Sequence, residues 1–474
     1  MNLSEYEWPR PHGFTPFDHQ KKTCEFLISN KKAFCFNEQG TGKTASVIWA
    51  TDYLMTVGVI RRVLIVCPLS IMTSAWQADL FKFALHRTVT IAYGSSRKRK
   101  ELVAGNAEYV VVNFDGVAII KNEIINGGFD LIVIDEASAY KNAQTARWKI
   151  LRDICKHVKG LWMLTGTPAA QSPVDAYGLA KLVNPDGVPK FFGVFRDSVM
   201  NQITQYRFVP KPNSKDIVHK ALQPAIRFEK ADCLDLPPLT FVDREAPLSP
   251  QQKKYYSLLV KQMLIEADGE EITAVNAAVQ VSKLLQISCG AVYSTGKEVV
   301  EFDVNNRLNA VLEVIEESSH KVLVFVPFTH TIELLERFLR KHNIVTERID
   351  GSIPVHRRSD TVKRFQENEN PRVLIIQPQA AAHGLTLTAA NTIIWYAPVT
   401  SVETYLQANA RIDRPGQKNN MTVVHITGSP VEAKLYRMLR GNIQHHAEII
   451  KLYKQIISED VDNVKSNVIV EPLT

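Results

Sequence analysis

Short, nearly unbroken apolar runs recur along this chain, each bounded by polar residues, glycine or proline. In the first half they are AFCF at 33–36, VLIVC at 63–67, YVVVN at 109–113, DLIVI at 130–134 and LWML at 161–164. Runs this short and this continuous suit parallel β-strands covered on both faces. Between them the apolar positions recur at helical spacing. Residues 14–26 lead into an amphipathic helix with Cys24, Phe26 and Leu27 on its apolar side, and residues 45–50 start another helix. Residues 69–83 read as a loop and helix containing Ser70, Trp76 and Lys82, with Trp76 packed inside.

The pattern changes over 186–235. Four prolines (Pro189, Pro210, Pro212, Pro224) alternate with Lys190, Arg196, Arg207, Lys211, Lys215, Lys220, Arg227 and Lys230, which predicts an irregular, basic, partly helical insertion. Leu236-Pro237-Pro238 marks a boundary. Residues 249–286 read as mainly helical, with an acidic turn at 268–271. Strand runs then return at 321–326, 373–376 and 392–396, with a helix over 331–342 whose apolar residues are Ile332, Leu334, Leu335, Phe338 and Leu339. Strands alternating with helices predict two mostly parallel sheets. The expected organisation is a first α/β domain over 1–235, a linker and helical region over 236–300, a second α/β domain over 301–450 and a tail over 451–474.

Composition narrows this picture only a little. The chain has 474 residues, 45% hydrophobic and 22% charged, and a net charge of +7, values of an ordinary soluble protein that tolerate an acidic partner without requiring one. The six cysteines are scattered without metal-ligand or redox spacing, so reduced thiols in a cytosol-like compartment are expected. The start of the chain has no signal-peptide core and no run reaches membrane-spanning length.

The chemistry begins at Asn37-Glu38-Gln39-Gly40-Thr41-Gly42-Lys43-Thr44, between a predicted strand and a predicted helix. Gly40 and Gly42 allow a tight bend in which backbone N–H groups, Thr41's among them, converge at a helix N-terminus and favour an anion. Lys43 adds a point charge for β- and γ-phosphates, and Thr44 a hydroxyl for Mg²⁺. Asn37 departs from the glycine or alanine usual at that position. Gln20, seventeen residues before Asn37, has a donor and an acceptor that fit an adenine edge, or is a surface helix residue. The run at 130–134 ends in Asp135-Glu136. Adjacent carboxylates at a strand's C-terminal end, beside phosphates, make sense with a cation: Asp135 to hold Mg²⁺, Glu136 to polarise an attacking water. Thr165-Gly166-Thr167-Pro168 ends the next strand and reads either as a γ-phosphate sensor or as ordinary turn chemistry. The basic run at 95–100 is a solvated face or a nucleic-acid contact. Arg411 and Arg414, three apart on an expected helix, share a face and call for an anion between them or for two structural salt bridges.

These segments, together with VLIVCPLSIMTSAWQADLFKF, LIVIDEASAYKN, LTGTPAAQSPVDAYGLAKLVNP, IDGSIPVHRRSDTVKRFQ, GLTLTAANTIIWY and QANARIDRPGQ, stand in an order that resembles superfamily-two helicase-like motors, most of all the Swi/Snf-type branch. The likeness runs from about residue 14 to 440. It implies two tandem RecA-like domains with a mainly helical insertion between them, ATP and Mg²⁺ in the cleft, and translocation along a nucleic-acid duplex. Position by position it assigns Lys43, Glu136, Arg411 and Arg414 to catalysis, and Gln20, Gly40, Thr41, Gly42, Lys43 and Thr44 to the nucleotide. Thr44 and Asp135 are assigned to the metal. Ser70, Thr165, Gly166, Thr167, Gly384, Thr388 and Gln407 are assigned to nucleic-acid contact or coupling.

Ala137-Ser138 after the acids, Ala381-Ala382 in place of glycines, and a short stretch between the domains depart from that branch. They favour a compact, monomeric single-motor protein of the kind phages and bacteria carry over a nucleosome remodeller. The expected activity is a DNA translocase or helicase acting on duplex or branched DNA in the cytoplasm, without membrane association. The rivals are an RNA-directed helicase and a catalytically silent nucleic-acid-binding module.

Overall fold

The structure is a computed structural model that describes residues 3–166, 172–204, 208–234, 236–267, 274–293, 299–381 and 385–441. Thr167, Ala382 and Gly384 lie outside the described residues. The chain divides between Leu236 and Pro237 into two compact units.

The first unit is built on strands β1 (Lys32–Cys35), β2 (Val63–Cys67), β3 (Val89–Ile91), β4 (Tyr109–Asn113), β5 (Leu131–Asp135) and β6 (Gly160–Leu164), with an antiparallel hairpin of β7 (Met200–Gln202) and β8 (Phe208–Pro210), and β9 (Ala225–Ile226). Seven of these form one parallel sheet in the order β3-β4-β2-β5-β6-β1-β9. Residues alternate between its faces. Phe34, Leu64, Val110, Ile132 and Met163 join one buried cluster, and Cys35, Ile65, Val111, Val133 and Trp162 join another. The doubled core explains why the strands read as continuous apolar runs rather than alternating ones. Helix α1 (Asp18–Ile28) precedes β1, and α2 (Lys43–Thr56) follows it.

The segment expected to be an irregular insertion is more ordered than its prolines suggest. It contains helices Phe192–Val199 and Ser214–Ala221, the hairpin, and β9, which joins the main sheet beside β1. The basic run at 95–100 is only partly a solvated face. Arg99 is buried, donates from Nη1 to Asn113 Oδ1 at 2.8 Å and lies over the Tyr93 ring, whereas Arg97 is exposed and pairs with Glu101.

The second unit carries β10 (Leu239–Glu245), a hairpin of β11 (Ala291–Tyr293) and β12 (Val299–Glu301), then β13 (Lys321–Phe325), β14 (Thr346–Ile349), β15 (Val373–Ile376), β16 (Ala390–Trp395) and β17 (Met421–Thr427). Its sheet is also parallel, in the order β10-β17-β16-β13-β15-β14. The residues read as a linker are thus corrected in part: all seven of β10 pair with β17, and helices Pro250–Ala267 and Ala274–Cys289 follow within this unit. Edge position hid β10, because its outward residues need not be apolar and the stretch opens after two prolines.

Three buried polar side chains, Arg307, Glu432 and His425, order this unit. Arg307 and Glu432 form a salt bridge at 2.7 Å with side chains 2% and 0% exposed. Glu432 also accepts from the Ser429 backbone N–H, capping helix Pro430–Arg440. On β17, His425 is fully buried, stacked on Tyr436 at 4.2 Å and hydrogen-bonded to Tyr405 Oη and to Arg440. Burial, reinforced by the Arg440 charge and opposed by Asp243, pushes its pKa down to about 4.

A folded-state pKa below the ordinary value of about 6.5 means that the unfolded chain takes up the proton first, so stability falls as pH drops from about 6.5 towards about 4. The whole effect is about 3 kcal/mol at most. Urea unfolding of the full chain between pH 7 and pH 4.5 is expected to show this acid loss, and His425→Gln is expected to flatten it.

Candidate nucleotide site

Parallel pairing sets the site. The C-terminal ends of β1, β6 and β5 lie side by side, because β1 pairs with β6 and β6 with β5 in matching register. Each end carries one of the sequence signals: residues 37–44 after β1, Asp135-Glu136 at the end of β5, and Thr165-Gly166 after β6.

The loop after β1 turns on two left-handed glycines, Gly40 at φ +86° and Gly42 at φ +80°. Gly42 is also the N-cap of α2, and Lys43 and Thr44 form its first turn. A Cβ on Gly42 would stand 2.1 Å from Gln20 Nε2, so any larger residue would displace the Gln20 amide as well as strain φ. The Lys43 ammonium folds back over the loop and donates to the carbonyls of Asn37 at 2.7 Å and Glu38 at 3.1 Å.

Gln20 is not a surface residue. It is 3% exposed, its Oε1 accepts from the Phe17 N–H at 3.0 Å, and its Nε2 donates to the Thr41 carbonyl at 3.3 Å. His19 Nε2 also contacts that carbonyl, at 2.8 Å. Gln20 therefore caps α1 and braces the loop, and both ends of its amide are engaged.

Asp135 accepts from its neighbour's backbone N–H through Oδ1 at 3.0 Å and from the Trp76 indole through Oδ2 at 2.9 Å. Burial raises its pKa, and the positive charge of Lys43 and the two hydrogen bonds pull the other way. Glu136 follows at φ +54°, a left-handed backbone rare for a residue with a Cβ. Thr165 is buried, its N–H donates to the Cys35 carbonyl at 3.1 Å, and a Cβ on Gly166 would lie 3.6 Å from Gln39 Cγ. The end of β6 thus touches the loop after β1.

Trp76 is the residue whose part in the site the sequence reading missed. It is fully buried, as its packing predicted, and lies on a π-helical turn, Met72–Gln77, a rare geometry that recurs at functional sites. Its signal was weak, because only the fold brings it to Asp135. Just before the turn, Ser70 Oγ is buried with no hydrogen-bond partner, and its carbonyl accepts from Ser74 Oγ.

In the second unit the expectation for the arginines needs correcting. Helix Val402–Asn409 ends before both of them. Pro415 disfavours helical backbone at Arg414, and Gly416 adopts φ +100°, so the chain turns away. Arg411 is 2% exposed, and its carbonyl accepts from the Leu387 N–H at 3.0 Å. Arg414 donates to the Ala410 carbonyl at 2.9 Å and to Thr386 Oγ1 at 3.1 Å. Gln417 braces the turn by donating to the Ala390 carbonyl at 2.8 Å. Thr388 Oγ1 accepts from Gln366 at 3.5 Å, and Gln407 is buried and donates to Glu403 at 3.3 Å.

The residues after β1 and β5 fit a magnesium nucleotide. Backbone turned by two left-handed glycines, a lysine held at the loop by weaker carbonyl acceptors, and a half-buried carboxylate beside that lysine form a donor set for phosphates with a cation. Lys43 and the loop N–H groups would hold the phosphates, and Thr44 and Asp135 the Mg²⁺.

A family model for the SNF2-related domain matches residues 19–290, more than half of the 474, and one for the helicase conserved C-terminal domain matches 306–416. Mouse chromodomain-helicase-DNA-binding protein 1-like is 26% identical over 431 residues, covering 86% of this chain and 46% of its own. The Arabidopsis thaliana ATP-dependent DNA helicase DDM1 is 26% identical over 495 residues, covering 94% of this chain and 64% of its own. The chain thus spans two thirds or less of the length of these curated relatives. A solved Sulfolobus solfataricus SWI2/SNF2 ATPase core in complex with dsDNA aligns over 93% of both chains at 20% identity, with a TM-score of 0.46. Built of two parallel α/β units, this chain belongs to the SNF2-related family and carries its domain followed by a helicase conserved C-terminal domain.

Proposed function

We propose that this protein hydrolyses ATP and uses the energy to move along duplex or branched DNA. The observation that carries the reading is the Lys43–Asp135 neighbourhood: an ammonium on the glycine loop beside a half-buried carboxylate two strands away in the sheet. Lys43 holds the β- and γ-phosphates. Asp135, oriented by Trp76, holds the cation, which when bound neutralises charge on the phosphates. Glu136 accepts a hydrogen bond from the attacking water, orients it and takes its proton as it attacks. Arg411 and Arg414, carried by the second unit, supply positive charge as the bond to the γ-phosphoryl group breaks. Thr165, Gly166 and Thr167 sense that loss. Ser70, Gly384, Thr388 and Gln407 pass it to the grip on DNA.

Grip on the DNA backbone would make binding weaken steeply with salt and depend little on sequence. ATP turnover measured against duplex DNA, branched DNA, single strands and RNA is expected to be highest with duplex or branched DNA. Stimulation by RNA alone would overturn the assignment. Lys43→Ala and Glu136→Gln are expected to lower kcat by about 10²–10³-fold or more while DNA binding in a filter assay persists. Trp76→Phe keeps the ring and removes the indole donor, so the Mg²⁺ needed for half-maximal turnover is expected to rise about 10-fold or more. An unchanged Mg²⁺ titration would show that the indole does not orient Asp135.

A further inference from the structure

Asn37 stands where the phosphate-loop pattern has glycine or alanine, and the proposed chemistry gives it no task. Its side chain is nevertheless 1% exposed and engaged at both ends. Nδ2 donates to Thr23 Oγ1 at 2.8 Å, and Oδ1 accepts from the backbone N–H of Phe228, 191 residues away, at 3.0 Å. Glu38 extends the pattern. Its N–H donates to the Phe228 carbonyl at 3.0 Å, and its Oε2 accepts from the Lys230 N–H at 2.9 Å. Just upstream, the N–H groups of Phe34 and Phe36 donate to the carbonyls of Pro224 and Ile226 at 2.9 and 2.8 Å. Residues 224–230 are therefore stitched to β1 and to the first two residues of the loop. The first unit ends soon afterwards, at Leu236.

The same two loop residues hold Lys43. Its ammonium donates to the carbonyls of Asn37 and Glu38. A phosphate entering the loop is a stronger, charged acceptor and competes for that ammonium. As Lys43 turns to the phosphate, the two carbonyls lose a charged donor and the peptide units at 37 and 38 settle anew. The Glu38 carbonyl keeps the Thr41 hydroxyl at 2.7 Å and the Asn37 side chain keeps Thr23, while further hydrogen bonds of the two residues run to the backbone at 228 and 230.

We propose that Asn37 and Glu38 are positioning residues that pass phosphate occupancy of the loop to the segment at 224–230, and so to the chain that runs into the second unit. The inference rests on the nucleotide reading of the loop. It accounts for a polar, amide-bearing residue at a position where the phosphate itself asks only for a small one.

The test is hydrogen exchange of the full chain, followed in peptides covering 224–232, with and without AMP-PNP and Mg²⁺. Wild type is expected to change exchange at Phe228 and Lys230 by about 10-fold on binding AMP-PNP, within the range of measured coupling between linked sites. Asn37→Ala is expected to abolish the change at Phe228 and lower DNA-stimulated kcat by about 10-fold, with KM for ATP shifted less than about threefold. Asn37→Asp, which keeps the acceptor for the Phe228 N–H, is expected to restore the response. Should Asn37→Ala fail to fold, the half-exposed Glu38→Ala carries the test, with loss of the change at Lys230 as the supporting result. Bound AMP-PNP with no change at 228 or 230 in wild type overturns the relay and leaves the nucleotide reading standing. Absence of any AMP-PNP binding overturns the reading of the loop itself.

Discussion

Parallel pairing of β1 with β6, and of β6 with β5, is the constraint from which the first unit's chemistry follows. Every strand in such a sheet ends on the same side, so three segments remote in sequence deliver their polar residues to one rim. The pairing needs both faces of the sheet covered, and the alternation of Phe34 with Cys35, or Ile132 with Val133, between two buried clusters meets that need. Hydrophobic burial on both faces thus fixes where Lys43, Asp135 and Thr165 stand, although none of them contributes to it.

Around that rim, polar side chains are buried with their partners specified. Gln20 is shared between its own helix N-terminus and the Thr41 carbonyl and Asn37 between Thr23 and Phe228, and the half-buried Asp135 is likewise held between an indole and a backbone amide. A buried polar group left without its partner costs about 1–3 kcal/mol, so each of these contacts resists displacement. The loop is consequently held at both flanks, and what can rearrange cheaply is the lysine tip lying across its own carbonyls. The second unit also buries polar groups with their partners, in the Arg307–Glu432 pair and the His425 stack.

Legibility in the sequence followed the range of each interaction. The central strands of the first sheet, the glycine loop and the acid pair were readable because local pattern determines them, whereas β17, central in the second sheet, was not read. Edge strands β3 and β10 were not, since a strand covered on one side needs fewer apolar residues and β3 has only three residues. Trp76 could be read as buried but not as a partner of Asp135, because 59 residues separate them. Arg411 and Arg414 were expected on a helix on the strength of their spacing, yet Pro415 and Gly416 outweigh helical periodicity there. The proline-rich segment at 186–235 was expected to be irregular, and pairing with β1 gave part of it a place in the sheet.

Glu136 is held at φ +54°, and a side chain there costs of order 1 kcal/mol that glycine would not incur. Selection for thermal tolerance alone would therefore favour glycine or asparagine at position 136 and discard the carboxylate. In the proposed chemistry Glu136 orients the attacking water, so at this one position folding and turnover would make opposite demands.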